Sequence, residues 1–78
     1  MAKQRLKEGD KITFRLGMMR RCTGTICELA MKSSGLHFRA SCIAEENPWL
    51  GAEVLSTGRP WKTPKIPVQC ITGVLERA

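Results

Sequence analysis

A chain of 78 residues, 42% apolar and 26% charged, is too short to divide its apolar side chains between two cores and too apolar to stay disordered. Thirteen Lys and Arg against seven Asp and Glu leave a formal charge of +6, which favours anionic partners and argues against cationic ones. No stretch approaches the roughly 20 apolar residues of a membrane-spanning helix, and the start MAKQRLKEGDK lacks the apolar run of a signal peptide, so a cytoplasmic protein with free thiols is expected.

Residues 1–78 are read as one domain, with residues 1–8 expected to be flexible. The first element is GDKITFRLG. Ile12, Phe14 and Leu16 alternate there with Lys11, Thr13 and Arg15 between Gly9 and Gly17, the period-two pattern of a half-buried strand. Met18 and Met19 occupy the predicted turn that follows, with Arg20 and Arg21 beside them. Residues 20–31, RRCTGTICELAM, change phase near Gly24, which predicts one long strand bent by a bulge at that point. KSSG at 32–35 supplies turn residues. LHFRASCIA then alternates again, with Leu36, Phe38, Ala40 and Cys42 inward and His37, Arg39 and Ser41 outward, so that a hairpin is formed.

Residues 45–65 interrupt this pattern. They hold both tryptophans among prolines and glycines, and they predict a long Trp-containing loop before the fourth strand. Glu45 and Glu46 read there as solvated charges. Leu50, Val54 and Leu55 offer an apolar patch through which two chains can pair, which leaves a homo-oligomer open. KIPVQCI reads as the next strand, TG as a turn and VLER as a short last strand.

Five short antiparallel strands on one core predict an all-β fold, a small five-stranded barrel, because curling the sheet removes exposed edges. KEGDKITF, followed by GMMRRCTGTICEL and by VLER near the end, resembles the Src-homology-3-like barrels, KOW-type and tudor-like modules included. The resemblance covers residues 8–44 and 66–77 and implies a closed small barrel; the segment 45–65 has no counterpart in it. A more distant similarity is to the type II plasmid dihydrofolate reductases. Val68 and Gln69 match the start of their Val-Gln-Ile-Tyr pore strand, VLER compares with their ALER, and Arg15 falls where the family has a pore lysine. That resemblance implies a tetramer whose central pore takes NADPH and dihydrofolate. The pore tyrosine is missing, since the chain contains no Tyr.

The outward residues Lys11, Arg15 and Arg39, with Arg20 and Arg21 at the first turn, predict a positive face. Arg59, Trp61 and Lys62 in GRPWK add a basic-aromatic unit, and Trp61 is expected to be the more exposed indole while at least one tryptophan plugs the barrel. Lys and Arg neutralise phosphates, and an indole stacks a base for roughly 1 to 3 kcal/mol. These eight residues form the candidate site for nucleic acid or a phosphate-bearing nucleotide. An acidic protein gripped by the same surface, in an accessory module of a phage or mobile element, is the alternative. Cys22 and Cys27 in CTGTIC stand at the wide edge of zinc-ligand spacing, but Cys42 and Cys70 form no second close pair. The thiols therefore read as small buried hydrophobes, and no metal or cofactor is expected. His37, the single histidine, has no nucleophile and carboxylate arranged around it in the sequence, so no catalytic residue is expected.

Overall fold

A computed structural model describes residues 6–17, 20–50 and 59–78. The expectations for the first five residues, for Met18 and Met19 and for Val54 and Leu55 lie outside the described residues.

The alternation of KITFRL becomes β1 (Lys11–Leu16), with Ile12 and Phe14 fully buried and Arg15 exposed. The next strand, β2 (Arg20–Lys32), is long enough to serve two neighbours. Its first half pairs with β1 from Leu16↔Arg20 to Lys11↔Thr25, and its second half pairs with β3 (Gly35–Cys42) from Thr25↔Ser41 to Lys32↔Gly35. Ser33 and Ser34 make the turn between β2 and β3, and Gly35 follows at φ 118°, a conformation that disfavours a side chain.

The bend in β2 is where the structure departs from the expected position. The register slips between Ile26 and Glu28, so Cys27 is the extra residue of the bulge and its Sγ points at the Arg39 carbonyl, 3.5 Å away. Gly24 is glycine for another reason. A Cβ there would meet Cys42 Sγ at 2.8 Å and the Ser41 carbonyl at 3.0 Å, so the two strands close on each other only around a bare backbone.

Three short elements complete the sheet. β4 (Trp61–Lys62) and β5 (Ile66–Pro67) both pair with the outer edge of β3, and β6 (Ile71–Glu76) pairs with the outer edge of β1. The order is β4-β3-β2-β1-β6, all antiparallel, with β5 beside β3. A one-turn 3-10 segment, η1 (Val68–Cys70), joins β5 to β6 and lies against both β1 and β3. Among the described residues the fold is therefore all-β as expected, with six strands rather than five. The additional one, β4, falls inside the stretch read as loop. Two residues are too few to show alternation in a sequence, and this strand exists because β3 offers it an edge. Thr63 extends that pairing: its N–H donates to the Ala40 carbonyl at 2.9 Å, and its Oγ1 accepts from the Ala40 N–H at 3.1 Å.

The core is a single cluster of Ile12, Phe14, Cys22, Ile26, Phe38, Ala40, Cys42, Leu50 and Ile66, with both tryptophans packed against its margin. Phe14 and Phe38 meet edge to face with ring centres 5.2 Å apart. Leu6 also packs against the cluster, and the Lys7 N–H donates to Asp10 Oδ2 at 3.0 Å. Asp10 is buried, and its other oxygen accepts from the Ala78 N–H at 2.8 Å, so one carboxylate ties the approach to β1 to the residues after β6. No helix among the described residues is long and apolar enough to cross a membrane.

Candidate functional site

The segment after β3 does more than connect strands. The first half of β2 has β1 on one side and nothing from β3 on the other, because β3 pairs only from Thr25 onward. Asn47 fills that gap. Its Oδ1 accepts from the Thr23 N–H at 2.8 Å, and its Nδ2 donates to the Thr23 carbonyl at 2.8 Å and to the Ile43 carbonyl at 2.9 Å. A fully buried side-chain amide thus stands in for a missing strand. Two residues on, the Trp49 Nε1 donates to the Arg21 carbonyl at 3.2 Å, and Leu50 enters the core. Residues 43–50 form a strap along the open edge of β2.

The eight candidate residues do not form one face. Lys11 is taken by Glu46, which lies in the strap; this ion pair and its hydrogen bond, with Glu76 nearby, hold the Lys11 ammonium above the usual lysine range. Arg39 is held at both ends of its side chain: Nε donates to the Thr63 carbonyl at 2.9 Å, and Nη1 lies 3.7 Å from Glu28. The same Glu28 stands 3.7 Å from Lys65. Arg59, Trp61 and Lys62 lie on and just before β4, beyond β3 and β2 from the β1 edge. Trp61, expected to be the exposed indole, is half-buried like Trp49. His37 does not face solvent beside Arg39 as the alternation predicts. It pairs with Pro67 of β5, is buried, and has Nδ1 2.9 Å from the Gly35 carbonyl, because β5 and η1 fold against this part of β3.

Three of the eight lie at one end of the β1–β2 hairpin, Arg15 and Arg21 on one face of the sheet and Arg20 on the other. Arg15 is the direct cross-strand partner of Arg21, and Arg20 sits opposite Leu16 at the same end of the β1–β2 hairpin. All three are exposed. None makes an ion pair with a carboxylate among the described residues. The Arg20 guanidinium lies over the Trp49 ring, 5.1 Å from its centre. The sequence pattern located these arginines but ranked Trp61 above Trp49. The signal available for Trp49 was Asn47-Pro48, a polar turn former and a breaker directly before the indole, which marks an anchored loop rather than a free one.

The other chemistry-bearing groups are occupied structurally. Burial pushes the Cys22 thiol up, and pushes Cys42 up to about 12, with Cys22, Glu46 and Cys27 adding in the same direction. Such thiols are neutral packing groups. Among the described residues no set of three or more His, Cys, Asp or Glu is placed to hold a metal ion. Val68 and Gln69, which carried the reductase resemblance, lie in η1 with Gln69 exposed, and Ile71 opens β6.

Comparison with protein-family models, curated proteins and solved structures finds no match to this chain.

Proposed function

We propose that this protein is a Src-homology-3-like barrel module that binds nucleic acid through Arg15, Arg20 and Arg21. The barrel reading draws support from the pairing of the first and last long strands and from η1, which carries the chain from the β3 edge to the β1 edge while touching both. The binding reading rests on one observation, the register pair Arg15↔Arg21 with no carboxylate among the described residues to answer it.

Like charges placed directly opposite on one sheet face destabilise a strand pair by a few tenths of a kcal/mol or more. Glu46 and Glu28 are engaged elsewhere, by Lys11 and by Arg39 with Lys65. A phosphate between the two guanidiniums converts the repulsion into charge-assisted, bidentate hydrogen bonds, the contact for which arginine is better shaped than lysine. The polyanion supplies what the fold leaves out.

The test is a salt series of binding to single-stranded and duplex nucleic acid. Three phosphate contacts predict a slope of log affinity against log salt near about −2 on a single strand, from roughly 0.7 per contact. Affinity that does not change with salt, or no binding at low salt, overturns the proposal. Capture of an acidic protein that survives nuclease treatment would assign the arginines to a protein partner instead.

A further inference from the structure

Trp49 is the one indole attached to the arginine cluster, and its setting is specific. Its Nε1 is fixed to the Arg21 carbonyl, which sets the ring plane relative to β2. Its inner side packs against the core margin. Over the ring lies the guanidinium of Arg20, an exposed side chain with no carboxylate partner among the described residues. A ring anchored by its edge and covered by an exposed cation that has no carboxylate partner among the described residues is a stacking surface occupied in the free protein by its own arginine.

We infer that Trp49 is a stacking site for an unpaired base, gated by Arg20, so that the module selects single-stranded nucleic acid over duplex. This rests on the nucleic-acid reading above. A phosphate at the hairpin end draws the Arg20 guanidinium away from the ring, and a base takes the place it leaves. The exchange loses little, because the cation–π contact given up is replaced by a phosphate contact and the indole regains a flat partner. A duplex offers no such partner, since both faces of each paired base are already stacked within the helix and must be unstacked first. The duplex can still meet the arginines, so it is retained more weakly and with the ring unused.

The experiment uses the full chain carrying Trp61→Phe, which leaves Trp49 as the single tryptophan. It is titrated with oligothymidylate and with a duplex of equal length at low salt. The expected result is quenching of Trp49 emission by the single strand and none by the duplex. Trp49→Ala is expected to weaken single-strand binding roughly 5- to 150-fold while leaving duplex binding within about twofold. Because removing the indole also removes core packing, Trp49→Phe is the companion: it keeps a ring and should bind the single strand within a few-fold of the parent. Arg20→Ala should lower the salt slope by about 0.7 and preserve the preference for single strands. Equal affinity for both forms with Trp49 emission unmoved overturns this inference and leaves the nucleic-acid reading standing. Binding to neither form overturns that reading itself.

Discussion

Arg39 and Arg21 are the same residue on neighbouring strands, and the fold treats them oppositely. Around Arg39 the sheet supplies a carbonyl and a carboxylate, with Lys65 sharing Glu28 and Lys11 held by Glu46. Around Arg21 it supplies a second arginine. The first group of cations is consumed in joining β2 to β3 and to the segment between β4 and β5, and β1 to the strap. The second is left at a hairpin end, in no ion pair with a carboxylate among the described residues. A net charge of +6 therefore overstates how much positive surface is available, and the informative quantity is which cations have no internal partner.

The comparison breaks most visibly at the strap. Asn47→Ala removes three hydrogen bonds and strands the Thr23 N–H and carbonyl, so it should cost about 2 to 3 kcal/mol in urea denaturation. It should also weaken single-strand binding, because Trp49 rides on the same segment. Next in size, Arg39→Ala should lower stability by about 1 to 2 kcal/mol through the loss of a charged donor to Thr63, with nucleic-acid affinity unchanged within about twofold. The mirror outcome is expected from Arg15→Ala combined with Arg21→Ala: stability within about 0.5 kcal/mol of the parent, or slightly above it, and a salt slope shallower by about 1.4. If the two double outcomes are exchanged, with Arg39 governing binding and Arg15 with Arg21 governing stability, the division of labour is wrong.

Acid probes the carboxylate side of the same comparison. Backbone N–H groups of Ala78 and Lys7 hold the Asp10 carboxyl below its ordinary value of 3.8, with burial acting the other way. A carboxylate whose folded value is lowered contributes stability that is fully present above the unfolded value and is lost as pH falls through the folded one. Thermal denaturation should therefore show a decline in Tm below about pH 4, and Asp10→Asn should lower Tm at neutral pH by several degrees while flattening that decline. The smallest change is Glu46→Gln. It frees Lys11 at little cost in stability, and it should steepen the salt slope by about 0.7 if the released ammonium joins the binding face.

Much of this architecture is visible in the sequence because period-two alternation is a local property. KITFRL and GLHFRASC read as strands with their buried residues nearly all in place, and KSSG reads as the turn that links β2 to β3. The phase change in β2 is visible too, but its cause is displaced. Gly24 marks a close approach to Cys42 and Ser41, while the bulge itself falls on Cys27, and a sequence does not distinguish a glycine that permits contact from one that permits a bend. His37 follows the alternation on paper and departs from it in space, because its burial depends on β5 and η1, some thirty residues later in the chain.

The candidate site divides in the same way. That Arg15, Arg20 and Arg21 flank one turn is a matter of adjacency in the chain, and any hairpin there would gather them. That Lys11 and Arg39 are paired is not, since Glu46 and Glu28 reach them across folds of the chain that no spacing rule records.

Composition and alternation by themselves determined a basic, all-β chain with an arginine-rich first hairpin, since these depend on residue type and on neighbours one or two positions away. Which arginines keep their charge unanswered, and which indole stands beside them, was decided by tertiary structure alone. Ion pairs and hydrogen bonds act across a few ångströms of space, and only folding sets which distant parts of the chain share that space.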